Sequence, residues 1–314
     1  MAGALIGHRT SPPLSLNYLT TLLNQFMAKL LITGADGQVG QELRHLATHD
    51  SRSFHFTSRN ELDITNAAAI DAYFERVRPD YCLNCAAYTA VDRAESEAEL
   101  AARINTEGAV NLASACLRYS TRMLHLSTDY VYHNDWNRPL TEDAPTSPRG
   151  VYAKTKLSGD EIVRRLLPDA SVVLRTSWVY SSFGNNFVKT MLRLGAERDE
   201  LGIIYDQIGS PTYARDLAAA MLRLTESDAF FQSGIYHYSN EGVCSWYDFA
   251  HAIFEMSGTE VNLRPILTTQ YPTPAERPPF SLLAKEKFRA TFDMQIPYWR
   301  DSLRRCLGEL GVLD

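Results

Sequence analysis

The chain has 314 residues, of which 45% are hydrophobic and 22% charged, and it carries a formal net charge of -6. That length allows roughly two domains and a core large enough to need no disulfide or metal staples. The acidic balance argues against a nucleic-acid surface, which needs a basic stripe, and no run of ~18 apolar residues predicts a membrane span.

Residues 1–26 stand outside the periodic pattern. They contain the adjacent prolines Pro12 and Pro13, several Ser and Thr and no acidic residue. They read as a disordered extension, without the continuous apolar stretch of a targeting peptide. Lys29-Leu30-Leu31-Ile32-Thr33 is then a short apolar run, the signature of a buried parallel strand. Gly34-Ala35-Asp36-Gly37-Gln38-Val39-Gly40 follows and opens a helix from Gln38 to Ala47 with Val39, Leu43 and Leu46 on one face. Strand, glycine turn and helix in that order is the context of a dinucleotide site. Gly34 permits the tight turn, Gly37 lets backbone N–H groups approach a pyrophosphate, and Gly40 lets helix and strand pack closely. The anion would rest on the helix N-terminus, where free N–H groups and the helix dipole favour negative charge.

Phe54 to Thr57 is the next strand. Ser58 and Arg59 follow it, where such folds meet the adenosine ribose. A helix is expected from about Asn66 to Arg76, ended by Pro79, and a strand from Tyr81 to Ala86. A long helix is expected from Glu97 to Tyr119, carrying Asn105, then a strand from Met123 to Thr128. After a polar loop with Pro139, Pro145 and Pro148, a helix carries Tyr152 and Lys156, and Val172 to Arg175 is a further strand. This alternation predicts an α/β fold, a Rossmann-type doubly wound parallel sheet with right-handed crossovers. Past Ser177 the pattern is less regular. Gly234 to Ser239 reads as one more sheet strand. Ser245-x-x-Asp248 resembles a capping box opening a helix to Met256, Pro265 to Pro279 mark loops, and a last helix runs from Tyr298 to Leu310. The predicted division is a cofactor domain over 27–180 plus about 212–240, and a smaller α/β substrate domain over about 181–211 plus 241–314.

Five cysteines point to free thiols in a reducing cytoplasm. Cys82 and Cys85 form a C-x-x-C on a strand, where residues three apart face opposite ways, so no metal site is read there.

Tyr152 and Lys156 lie four apart and share a helix face. A free phenol titrates near ~10, and a neighbouring ammonium lowers that value toward the range useful for proton transfer. Thr128 ends a strand 24 residues earlier, placed to orient or polarise a substrate carbonyl.

The turn spacing G-x-x-G-x-x-G, the strand-end hydroxyl and the Tyr/Lys pair together resemble the extended short-chain dehydrogenases/reductases. Ser127-Thr128-Asp129-Tyr130-Val131-Tyr132, Asn84-Cys85-Ala86-Ala87-Tyr88-Thr89-Ala90-Val91-Asp92 and Leu62-Asp63-Ile64-Thr65 narrow this. So do Arg175-Thr176-Ser177-Trp178-Val179-Tyr180, Gly184-Asn185-Asn186-Phe187 and Asp206-Gln207-x-Gly209-x-Pro211-Thr212. The set resembles the dTDP-4-dehydrorhamnose reductase family over about residues 28 to 310. The resemblance implies reduction of dTDP-4-dehydro-L-rhamnose to dTDP-L-rhamnose by NAD(P)H, for cell-surface polysaccharide. It implies Tyr152 as proton donor to the C4 oxygen and Lys156 as the group that lowers its pKa and holds the nicotinamide ribose. Thr128 would hydrogen-bond the C4 oxygen, and Thr128, Asp129 and Trp178 would line the sugar pocket. Gly34, Gly37, Gln38, Val39 and Gly40 would hold the pyrophosphate, Asp63 and Ile64 the adenine, and Ala86, Ala87, Tyr88 and Thr89 the ribose side. Some members dimerise through a metal-linked interface. Glu42 falls at the matching place, where an exposed helix glutamate is the default, so magnesium is not relied on.

Two departures stand out. After Val131 the family continues Phe-x-Gly, where this chain has Tyr132-His133-Asn134. The Tyr/Lys helix reads Y-A-K-T-K. Three other functions compete. A nucleotide-sugar epimerase would need its cofactor held through the cycle. A 4,6-dehydratase would place Asp-Glu after Thr128, where Asp129-Tyr130 stands; a reductase-like regulatory subunit would not need Thr128, Tyr152 and Lys156 together. At the end of the second strand no carboxylate precedes Glu61, and Ser58 and Arg59 can both meet a 2′-phosphate. NADPH is therefore the expected cofactor, with NADH also used.

Overall fold

The computed structural model describes residues 28–134, 136–227 and 230–313, so the extension expected over residues 1–26 lies outside the described residues. The frame is a six-stranded sheet. Its strands are β1 (Lys29–Thr33), β2 (Ser53–Thr57), β3 (Tyr81–Asn84), β4 (Arg122–Thr128), β5 (Ser171–Thr176) and β10 (Gly234–His237). Their order across the sheet is β10-β5-β4-β3-β1-β2, and every pairing is parallel. The strand order reverses at β1, which has β2 on one side and β3 on the other, so the switch point lies at the carboxyl ends of β1 and β3.

Helices cover both faces. Helix α1 (Gln38–Ala47) buries Val39 and Leu43, as its pattern predicts. Helix α2 (Ala67–Val77) is capped by Asn66, whose side chain accepts from the Ala69 N–H, and ends on left-handed Arg78 just before Pro79. The long helix expected from Glu97 to Tyr119 is broken into parts. After a short α3 (Val91–Ala94), it comprises α4 (Ala98–Ala102), a π-turn over Arg103–Glu107 and α5 (Gly108–Tyr119). Helix α6 (Gly150–Leu166) carries the Tyr/Lys pair. One core cluster (Leu31, Ile70, Phe74, Leu112, Val163 and neighbours) lies against one face of the sheet. The other (Leu30, Ile32, Leu43, Leu217, Met221, Phe288 and neighbours) lies against the opposite face. This follows from the alternation of side chains along β1: Leu30 and Ile32 face one layer, Leu31 the other.

The remaining elements are short strands and five helices. They comprise β6 (Val179–Tyr180), α7 (Phe187–Glu197), β7 (Glu200–Ile204), β8 (Ile208–Gly209), β9 (Thr212–Tyr213) and α8 (Ala214–Leu224). After β10 come β11 (Cys244–Ser245), α9 (Trp246–Met256), β12 (Asn262–Ile266), α10 (Glu286–Phe292) and α11 (Trp299–Glu309). A third core cluster joins α7, β7, α9 and α11 through Val188, Leu201, Phe249, Ile253, Trp299 and Leu303. The capping box of α9 is complete: Ser245 Oγ accepts the Asp248 N–H, and the Asp248 carboxylate accepts the Ser245 N–H. Pro265, expected in a loop, lies in β12, which pairs only with β7. A two-stranded ribbon is all edge, and an edge strand accepts a residue without an N–H.

Candidate active site

At the carboxyl end of β1 the chain turns at Gly34, with φ of +69° and room for no side chain: a Cβ there would lie 2.6 Å from the Ala86 nitrogen. A Cβ on Gly40 would lie 2.5 Å from the Gly34 carbonyl oxygen, so this glycine sets how closely α1 approaches β1. Gly37 caps α1 without any side-chain hydrogen bond. The first N–H groups of the helix thus face the cleft free of a side-chain partner, as an anion site requires.

The cleft at the switch point has a volume of about 390 Å³. Gly34, Asp36 and Gly37 line it from β1, Ser58, Arg59, Asp63 and Ile64 from the far side of β2, and Ala86, Ala87, Tyr88 and Thr89 from the end of β3. The residues predicted for the pyrophosphate, the adenine and the ribose side therefore converge, with three exceptions, while Tyr152 and Lys156, also predicted to meet the cofactor, do not line this cleft. Val39 is buried in the core and Gly40 packs on the turn. The Gln38 side chain turns away, donating to the Val179 carbonyl at 3.4 Å and accepting from Asn186 Nδ2 at 2.9 Å. For Gln38 and Val39 only the main chain is left to meet a pyrophosphate. Asp63 is already engaged by the Thr65 N–H and hydroxyl at 2.9 and 2.8 Å, which hold its carboxyl below the usual range.

The end of β2 differs from the expectation of a carboxylate-free site. Glu61 folds back, and its Oε2 accepts both the Ser58 N–H and the Ser58 hydroxyl at 2.8 Å. Arg59 remains exposed on the cleft wall.

The groups expected to react gather at the end of β4. Thr128 is the last residue of the strand and caps a 3-10 turn over Asp129–Val131, accepting the Tyr130 N–H at 3.2 Å. Its hydroxyl donates to Asp129 Oδ1 at 3.1 Å, while Asp129 Oδ2 is buried without a partner. Burial pushes the Asp129 carboxyl up to about 6. Lys156 is buried, and its Nζ donates to the Leu126 carbonyl of β4 at 2.7 Å, which anchors α6 to the strand that carries Thr128. Tyr152 stands edge-on to Tyr130, with ring centroids 5.5 Å apart. Burial raises its phenol to about 12; Asp129 and Asp160 push the same way, and a hydrogen bond with Thr128 opposes them. The lowering of this phenol expected from its spacing to Lys156 is outweighed by burial, which moves the phenol up instead.

Asn105 is tied to this region by contacts that the sequence did not reveal. The π-turn projects it so that Oδ1 accepts the Tyr88 N–H at 2.8 Å, while Nδ2 donates to the Tyr88 carbonyl at 3.2 Å and to Thr155 Oγ1 at 3.1 Å. One amide thus ties the β3 loop to the residue preceding Lys156.

Trp178 has a positive φ of +48°, a strained backbone for an aromatic residue. Its ring stacks on Trp246 at 3.7 Å between centroids, and a Cβ on Gly209 would lie 2.9 Å from the indole. Trp246 donates through Nε1 to Gln207 Oε1 at 3.1 Å. Beside this stack a second cavity of about 450 Å³ is lined by Phe187, Gln207, Trp246, Tyr271, Thr273 and Arg277. Arg277 forms a bidentate pair with Asp92, at 2.7 and 3.0 Å, joining the 271–279 loop to α3. The motif around Gln207 marks this cavity in the sequence; Trp246 and Arg277 carry no local signal.

Glu42 does not fit a metal. It is fully buried rather than exposed, its Oε1 accepting from Ser181 Oγ at 2.6 Å and its Oε2 from Arg215 Nε at 2.8 Å. Arg215 in turn pairs with Glu309 at 2.7 Å. A guanidinium already supplies the positive charge there. Among the described residues no cluster of three metal-ligating side chains occurs, and all five cysteines are free.

The model of the RmlD substrate binding domain family matches residues 28–312. The chain belongs to this family. The dTDP-4-dehydrorhamnose reductase of Aggregatibacter actinomycetemcomitans is 40% identical over 288 residues, covering 88% of this chain and 98% of that one. A crystal structure of a dTDP-4-dehydrorhamnose reductase from Clostridium acetobutylicum is 39% identical with a TM-score of 0.87, covering 90% of this chain and 99% of its own. The dTDP-4-dehydrorhamnose reductase of Bacillus anthracis, in complex with NADP, is 37% identical with a TM-score of 0.86 over the same shares. Membership accounts for the parallel sheet and its switch-point cleft. No helix among the described residues is long and apolar enough to cross a membrane.

Proposed function

We propose that the chain reduces the C4 keto group of dTDP-4-dehydro-L-rhamnose to give dTDP-L-rhamnose, using NADPH and, less well, NADH. The observation that carries this reading is the meeting of Thr128, Tyr152 and Lys156 at the end of β4, next to a cleft shaped for a dinucleotide. Relatives named for this reaction match nearly end to end. The nicotinamide group supplies hydride to C4 when bound. Tyr152 then donates its phenolic proton to the developing C4 oxyanion, and the Thr128 hydroxyl hydrogen-bonds the same oxygen. Lys156 would hold the ribose hydroxyls of a bound cofactor and stabilise the phenolate left behind. The free oxygen of Asp129 accepts a sugar hydroxyl, Trp178 lines the sugar pocket, and the Trp246 cavity takes the nucleotide end. Gly34, Gly37 and the main chain of Gln38 and Val39 hold the pyrophosphate. Ser58 and Arg59 meet the adenosine ribose and its phosphate, Asp63 and Ile64 the adenine, and Ala86 to Thr89 the inner ribose. The same proposal divides the chain into a cofactor unit (27–180 with about 212–240) and a substrate unit (about 181–211 with 241–314).

The test is a coupled assay from dTDP-glucose, following NADPH oxidation and identifying the product by NMR. Formation of dTDP-L-rhamnose supports the reading. A folded protein that binds NADPH but leaves the 4-keto sugar unchanged would overturn it.

A further inference from the structure

Tyr152 and Lys156 are followed, four residues further along the same face of α6, by Asp160. Lys156 and Asp160 are 2% and 1% exposed, so both have left water. A buried ammonium needs more than the neutral Leu126 carbonyl that it touches. His125 lies 3.4 Å from Nζ but is no acceptor. Asn84 Oδ1 takes the Thr33 hydroxyl at 2.8 Å and the Ala86 N–H at 3.1 Å, which fixes the amide orientation. Its Nδ2 therefore donates to His125 Nδ1, 3.0 Å away. The neutral imidazole must then carry its proton on Nε2. That N–H faces Asp160 Oδ1 at 3.6 Å, an oxygen with no hydrogen bond of its own. Asp160 Oδ2 accepts from Ser127 Oγ at 2.7 Å and from Arg175 Nε at 3.2 Å.

We propose that Asp160 is a positioning residue: the buried counter-ion that keeps Lys156 an ammonium and holds it below the cofactor cleft. Arg175 pairs with this carboxylate directly, and Lys156 faces it across His125, whose Nε2 lies 3.4 Å from Nζ and 3.6 Å from Oδ1. Of the other groups around them, His125 is kept neutral by burial and by Lys156, and burial pushes the Cys85 thiol and the Tyr152 phenol up, so both stay protonated. The Tyr132 hydroxyl, which accepts from Arg175 at 2.6 Å, is likewise raised by burial. Asp129, beside Tyr152, is raised by burial to about 6 and ionised above that, so two cations face two carboxylates while Tyr152 holds its proton. Burial lowers the Lys156 pKa and Asp160 raises it, so loss of the carboxylate lets Lys156 lose its proton at lower pH.

The role given to Lys156 rests on the reductase reading, but the test reads the lysine directly. In lysine-labelled protein the Lys156 ammonium ¹⁵N resonance is assigned by its loss in Lys156→Met and followed against pH. In Asp160→Asn it should titrate at least about one pH unit below wild type. Turnover should fall about tenfold with the sugar KM nearly unchanged, and Asp160→Glu should restore most of the titration. Asp160→Asn strands Arg175, so Asp160→Asn/Arg175→Gln replaces the ion pair by two amides and should show the same lowered titration. A folded single or double variant with wild-type titration overturns the proposal. So does failure of both to fold, which would make Asp160 a fold residue. Wild type inactive on the 4-keto sugar would sink the reductase reading and leave this comparison standing.

Discussion

Tyr152 keeps its proton firmly in the free protein, because burial and two nearby carboxylates raise the phenol to about 12. That suits a donor at neutral pH. Tyr152→Phe removes only the phenolic oxygen, so turnover should drop by roughly 10² or more while NADPH affinity is unchanged; full turnover in this variant would remove Tyr152 from the reaction. Asp129 makes a prediction in pH. Its carboxyl is raised from the usual ~3.9 to about 6, so it contributes stability below about pH 4 and loses that contribution as pH rises through 6. At pH 8 Asp129→Asn should therefore be more stable than wild type, by up to about 3 kcal/mol, with little difference at pH 4. Melting curves at the two pH values give the check, and an equal shift at both would show that ionisation of Asp129 is not the cause. At the end of β2, Glu61 competes with any phosphate for Ser58. Arg59→Ala should cut kcat/KM for NADPH at least tenfold with little change for NADH, whereas Glu61→Gln should sharpen the NADPH preference.

Among the elements, the π-turn over Arg103–Glu107 carries the largest consequence for the site. A regular helix through these residues would turn Asn105 out of line, and Tyr88 would lose both its main-chain partners. Asn105→Ala should raise the KM for cofactor several-fold and weaken its binding by fluorescence titration; unchanged cofactor binding would show that the clamp is dispensable. This also marks how far the sequence could be read. Each sheet strand shows as an apolar run, and α1, α6 and α9 show through their glycine turn, Tyr/Lys spacing and capping box. These signals are local. The π-turn has no local signature, because its cause is the packing of Asn105 against a loop 17 residues away. Pairing of β7 with β12 joins residues some 60 apart, and the Trp178–Trp246 stack spans 68 residues, so periodicity reports neither. The direction of the Tyr152 shift was not legible from its spacing to Lys156 either, because burial, which only the fold supplies, raises the phenol.

Over the whole molecule, one ion-pair chain links elements far apart in sequence. Glu42 of α1, Arg215 of α8 and Glu309 of α11 are joined through a single guanidinium, with Ser181 bonded to the buried carboxylate. A cation that the protein supplies itself should make activity and melting temperature indifferent to EDTA and to added Mg²⁺. Arg215→Gln strands Glu42 in the core and should cost about 3–5 kcal/mol in stability. Metal-dependent melting in wild type would contradict this assignment.

The position of β10 in the sheet bears on how the chain is made. This edge strand pairs with β5, and some 60 residues separate them, including β6, α7, β7, β8, β9 and α8. Phe288 and Phe292, later still, complete the core beneath it. A growing chain emerging from the ribosome therefore cannot close its sheet when β5 appears. The β5 edge stays unpaired until residue 237 has been synthesised, and the sheet core stays open until α10 follows. For that interval the nascent protein presents an apolar parallel strand to its surroundings. Truncation anywhere before α10 should leave a chain that associates with chaperones rather than a smaller folded domain.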